Sequence, residues 1–131
     1  MNNDFQLNLL NFINGLGLPI EARLDYLTEH EDLVIYPLPG GKIIQLFMDG
    51  TKEMELAFEV AVKSKDQELA NSIMWSINEA LSQIDLSIPS KNGSYQFLSL
   101  ETTKPFLLEK DDQGYFIYLL DLKTILELEE K

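Results

Sequence analysis

Cysteine is absent from the sequence, which excludes disulfides, thiol catalysis and cysteine-based metal sites. Histidine occurs once, as His30 between Glu29 and Glu31, with no second His or Cys to complete a metal site or a triad. It reads as a solvated loop residue. Positive charge is scarce: 10 Lys and Arg stand against 22 Asp and Glu, a formal net charge of −12. Such a balance repels a phosphate backbone, so no specific nucleic-acid binding is expected. The acidic residues are spread over Glu29 to Asp32, Asp111-Asp112 and Glu127 to Glu130, the pattern of a solvated surface. No apolar run approaches the ~20 residues that span a bilayer. Met1-Asn2-Asn3-Asp4 lacks the basic region and apolar core of a signal peptide. The expectation is an intracellular protein, or one built into an assembly inside a cell, with no membrane partner.

What is present is enough apolar material for one folded domain: 131 residues, 45% of them hydrophobic. The chain is organised around Glu53 to Ile84. In its first half Met54, Leu56, Phe58, Val60 and Val62 alternate with Glu53, Glu55, Glu59 and Lys63, the period-two pattern of a half-buried antiparallel strand. Ser64-Lys65-Asp66-Gln67 has the spacing of a capping box. From Leu69 the period becomes 3.6, and Leu69, Ala70, Ile73, Met74, Ile77, Ala80, Leu81 and Ile84 share one helical arc. Trp75 falls nearly opposite that arc, among polar residues, which makes it a candidate contact residue, with Met74 at the stripe's edge.

Upstream, Asn2, Asn3 or Asp4 can cap a helix carrying Phe5, Leu9, Phe12, Ile13 and Leu16, with Gly15 and Gly17 as stops. Ile20 to Tyr26 alternates as a first strand. Thr28 to Asp32 is a charged connection, and Leu33-Val34-Ile35-Tyr36 a second strand ended by Pro37-Leu38-Pro39-Gly40-Gly41. Lys42 to Met48 precedes Asp49-Gly50, a dipeptide suited to a hairpin turn into the long strand. Downstream, Asp85 to Ser94 is a loop. Tyr95 to Thr103 is a strand with Tyr95, Phe97 and Ser99 on one face, limited by Pro105. Leu108 to Gly114 is a polar hairpin connection, and Tyr115 to Leu126 a long apolar strand. These elements predict an α+β domain: a mostly antiparallel sheet of four to six strands with two helices packed on one face.

Catalytic patterns are weak. Gly40-Gly41 lacks the Lys-Ser/Thr and helix start of a phosphate loop. The acids of Asp111-Asp112-Gln113-Gly114 are adjacent where a calcium loop alternates them, so the segment reads as a turn. Glu53, Glu55 and Glu59 form a carboxylate row of the kind hydrolases use, but on one solvated strand face, where an acidic contact or pore-lining surface is the other option. No cofactor is expected.

The segments Met48 to Asn71, Gly93-Ser94-Tyr95-Gln96-Phe97-Leu98-Ser99-Leu100, Lys104-Pro105-Phe106-Leu107 and Asp111 to Asp121 together resemble small head–tail proteins of long-tailed phages and prophages of Gram-positive bacteria. These are often labelled minor capsid proteins, and in size and element order the chain is similar to tail terminators. The resemblance implies a non-enzymatic virion protein, made in the host cytoplasm. It would form a six-fold homomeric ring that caps the tail tube and joins the head through the tube and connector proteins, while DNA passes through. A closed ring needs two different surfaces per subunit. The residues offered for them are Trp75, Met74, Pro37, Pro39, Gly40 and Lys52. Two alternatives from other classes are a monomeric acidic adaptor or immunity-type protein and a small hydrolase built on the Glu row; a head-side connector is a close structural alternative.

Overall fold

A computed structural model describes residues 3–39 and 41–129. The elements are α1 (Phe5–Asn14), β1 (Arg23–Leu24), β2 (Asp32–Pro37), β3 (Lys42–Leu46), β4 (Thr51–Ser64), α2 (Gln67–Leu81), β5 (Gln96–Thr102), β6 (Phe106–Lys110) and β7 (Phe116–Glu129).

The spine is β4 against β7, antiparallel over the full 14 residues of each, with Thr51 opposite Glu129 and Ser64 opposite Phe116. Each spine strand is flanked by two shorter strands laid end to end. Along β4 these are β2, opposite Phe58 to Lys63, and β3, opposite Lys52 to Glu55. Along β7 they are β6, opposite Phe116 to Leu119, and β5, opposite Leu122 to Glu127. Proline sets both breaks, because it cannot donate to a ladder. Pro37 and Pro39 bracket Leu38, whose N–H donates to the Ala57 carbonyl at 2.9 Å, and Pro105 follows Thr103, whose N–H donates to the Asp121 carbonyl at 2.8 Å. The two breaks are offset along the spine, at residues 56–57 of β4 and at residues 120–121 of β7, opposite 60 and 59.

The alternation over Glu53 to Lys63 holds and decides the layering. Phe58, Val60 and Val62 join Leu33, Ile35, Leu120, Leu122 and Leu126 in one core with Phe5, Leu9 and Ile13 of α1 and Ala70, Ile73, Met74, Ile77 and Leu81 of α2. Each large side chain fully buried there contributes about 1.5–3 kcal/mol of transfer free energy. The helices share the work unequally. α2 lies over β4, β7 and β5, whereas α1 contacts β1 and reaches inward through Phe5, whose ring sits 5.5 Å from Phe58 and 5.6 Å from Tyr95. Behind the sheet, Val34, Ala61, Ile117 and Leu119 form a second small core with Leu27 and Tyr36 over the β2 end only. No described helix is long and apolar enough to cross a membrane.

The α+β class stands, with corrections. The sheet has seven strands and is mixed, because the short β1 runs parallel to β2. Only Arg23–Leu24 of the Ile20 to Tyr26 segment pairs at all. Phe106–Lys110 is a strand that runs into the Leu108 to Gly114 segment expected as a connection: it begins just after Pro105, and its apolar residues are exposed, so no buried periodicity marks it. Helix α2 is capped by Asp66, whose side chain accepts from Leu69 N–H at 3.1 Å. The capping box fails because the Ser64 hydroxyl is engaged elsewhere, donating to Glu31 at 2.8 Å and accepting from Asp66 N–H at 3.1 Å. Ile84 lies beyond the helix and is exposed. A register shift between Phe97 and Ser99 in β5 turns Ser99 to the face opposite Phe97.

Asp4 does not cap α1 with its side chain. It holds the loop before β5 instead: Oδ1 accepts from the Ser90 and Ser94 hydroxyls at 2.7 and 3.1 Å, and Oδ2 from the N–H groups of Lys91 and Asn92 at 3.0 and 3.2 Å. Burial opposes the charge, but hydrogen bonds from Ser90, Asn8, Lys91 and Ser94 outweigh it and hold the carboxyl well below its ordinary 3.8. Asp4→Ala is expected to speed amide hydrogen exchange at Lys91 and Asn92 while leaving the β4 and β7 amides protected. Unchanged exchange in the loop would refute the anchoring role.

Candidate assembly interface

The half of the sheet made of β3, β4, β7 and β5 differs from the half beneath it. Its rear face carries no second core. Among the described side chains, alternation and register place Glu53, Glu55, Glu101 and Glu127 there with the lysines Lys42 and Lys123. Glu55 sits between the two lysines, 3.9 Å from Lys42 and 3.8 Å from Lys123, while Glu53 stands directly opposite Glu127 across the ladder. Like charges opposite one another cost stability. The face is a solvated acidic surface, and its row of carboxylates does not converge on a single cleft.

The margins of the sheet are apolar and open. β3 is exposed along its whole length, with Ile43, Ile44 and Leu46 in solvent, and β6 likewise with Phe106, Leu107 and Leu108. An edge strand offers a row of backbone N–H and C=O groups to any further strand, and natural monomers usually blunt such edges with charge or cover. These edges are not covered among the described residues.

Where the flank along β7 breaks, Tyr36 O–H donates to Glu59, and Glu59 stands opposite Asp121. Burial, and then the hydrogen bond to Asp121, push Glu59 up to about 7 despite the opposing bond from Tyr36. Asp121 Oδ1 is buried with no protein hydrogen-bond partner. Beside the pair lies a groove of about 470 Å³ lined by Leu38, Ala57, Thr103, Asp121 and Lys123 among others. Between the ordinary value of 4.5 and about 7 the folded protein retains a proton that the unfolded chain has released. Stability therefore falls as pH rises through that window, by about 1–2 kcal/mol after allowing for solvent screening. Glu59→Gln should flatten this part of a pH–stability profile measured by urea unfolding; an unchanged slope would refute the assignment.

The residues singled out from sequence do not form one site. Trp75 is 43% exposed on the outer face of α2, open to a partner. Met74 is fully buried in the core and is unavailable to one, because one helical step of 100° carries it across the stripe's edge. Pro37 and Pro39 are exposed at the β2–β3 break, Lys52 is half-buried in β4 opposite Leu46 and Leu128, and Gly40 lies outside the described residues. His30 is exposed beside Glu29, and Asp111 closes a turn by accepting from Gln113 and Tyr115 N–H groups while pairing with Lys63 at 3.3 Å. Among the described residues no group of three His, Cys, Asp or Glu is placed to hold a metal. The Glu59–Asp121 pair escaped sequence reading because its members are 62 residues apart and meet only through the β4–β7 register.

No curated protein matches the chain. Its match is to a family model described as bacteriophage tail terminator protein, which covers residues 9–128, from within α1 to the penultimate residue of β7. A match over that share of the sequence means that the chain belongs to the bacteriophage tail terminator family, whose description is that of a structural phage tail protein.

Proposed function

We propose that this protein terminates the tail of a long-tailed phage as a ring of identical subunits, six in number, seated on the tail tube and meeting the head-side connector. One observation carries the reading beyond family membership: a sheet that shares one core with both helices, an acidic half of its rear face left uncovered among the described residues, and apolar strands left open at its margins. Open margins call for a neighbour. An acidic face turned toward a lumen would let a DNA backbone pass without gripping it. The work is binding and closure, with no turnover. The Gram-positive host rests on the resemblance of the segments quoted above, and assembly in the host cytoplasm on the same basis.

Absolute mass by light scattering, over a wide concentration range and with or without isolated tail tubes, tests this. A discrete species near six subunits, or saturable capture by tube ends, is expected. A monomer indifferent to tubes would overturn the reading, and salt-sensitive binding of that monomer to a basic partner would establish the adaptor alternative.

A further inference from the structure

We propose that the ring closes by strand addition: the free edge of β3 in one copy pairs with the free edge of β5 in the next. Strands β3, β4, β7 and β5 of successive copies then form one continuous antiparallel sheet. This rests on the ring reading above and names its contact.

Three features of the ladder point to this pairing. The first is height. Ile43 pairs with Met54, Met54 with Leu126, and Leu126 with Phe97, so one row crosses all four strands and ends at both free edges. A copy rotated about an axis along the strands brings its β3 level with its neighbour's β5. β6 is not an equivalent partner, since it lies at the other end of β7, opposite Phe116 to Leu119. The second is polarity. Each of the three ladders within the unit is antiparallel, so β3 and β5 run in opposite directions, and the new ladder continues the pattern unbroken.

The third is side-chain chemistry. On the helix side, exposed Ile43 comes beside Phe97 of the neighbour, extending the apolar row outward. On the acidic side Lys42, level with Ser99, lies on the diagonal to the exposed Glu101 of the neighbour, within reach of a long side chain. Both edges also carry a register shift at this row, between Ile43 and Gln45 and between Phe97 and Ser99. Bulges of this kind bend and twist strands, which a sheet must do to close into a ring. Closure would leave α1 and α2 on the outside and Glu53, Glu55 and Glu127 facing inward.

The absence of cysteine makes the test clean. In a Lys42→Cys/Ser99→Cys variant the two thiols of one chain stand three ladder spacings apart, roughly 14 Å, too far for a disulfide. They meet only across the proposed junction. Oxidation of the full chain, concentrated or mixed with tail tubes, should give a ladder of covalent oligomers ending at the wild-type ring size. A Lys42→Cys/Glu109→Cys control, reaching from β3 to β6, should stay uncrosslinked. As a second readout, Lys42→Glu should weaken assembly about tenfold, and adding Glu101→Lys should restore it. Wild-type rings with neither the ladder nor charge rescue would overturn the β3–β5 junction and leave the ring standing. Failure of wild-type protein to assemble with or without tubes would overturn both.

Discussion

Met74→Ala is expected to lower the free energy of unfolding by about 2–5 kcal/mol, the range for truncating a fully buried Met, whereas Trp75→Ala should cost less than about 1 kcal/mol. The two residues are adjacent on α2, and the order of the effects is the reverse of what side-chain size suggests. Met74 is fully buried in the core that holds Ile73, Ile77, Phe58, Val60 and Leu122, so its removal leaves a cavity that a close-packed core cannot fill. Trp75 is 43% exposed on the outside of α2, so truncating it removes a ring that water already reaches and leaves no closed cavity. Urea unfolding of both variants settles the order. Equal losses would mean that Trp75 is held down by the fold and is not available to a partner. If only assembly on tail tubes suffers in Trp75→Ala, α2 contributes a second contact outside the strand junction.

That contrast shows where the sequence was readable. The long strand at Glu53 to Lys63 and the helix after it were legible because each has one buried face and one wet face, which imposes a period on the residues. Met74 sits at the boundary of the helical stripe, where a rotation of a few degrees decides between core and surface. The β6 strand was illegible for the opposite reason: with Phe106, Leu107 and Leu108 exposed it has no buried face to impose alternation, and Pro105 suggested an end where the structure has a beginning. The bulge in β5 broke the alternation of Phe97 and Ser99 just where that strand borders open solvent. The features with most to say about assembly, an open apolar edge and a bulge, are thus the ones that depart from the patterns by which strands are recognised.

Asp32→Ala should cost about 3 kcal/mol, a loss out of proportion to a small polar side chain in an acidic run. In sequence Asp32 looks like Glu29 and Glu31 beside it, yet it opens β2 and is 6% exposed, while its neighbours are in solvent. Its carboxylate accepts from Arg23 through both Nε and Nη2, from Thr28 N–H at 3.2 Å and from the Thr28 hydroxyl at 3.0 Å. It therefore ties the two-residue strand β1 and the loop after it to the sheet. Burial alone would raise its pKa, but the bonds from Arg23 and Thr28 outweigh this and hold it below the ordinary 3.8. A carboxyl lowered in this way stabilises the fold above its unfolded value, and the contribution disappears as pH falls through the folded value. Asp32→Asn keeps the shape and part of the hydrogen bonding, so it should lose less at pH 7, and the gap between it and wild type should narrow on acidification below pH 4, because only wild type then gives up the Asp32 contribution. Urea unfolding at pH 7 and at pH 3 measures both effects. A pH 7 loss under about 1 kcal/mol for the alanine variant would mean that Arg23 and Thr28 find water as readily as they found the carboxylate, and that the β1 margin is held by packing alone.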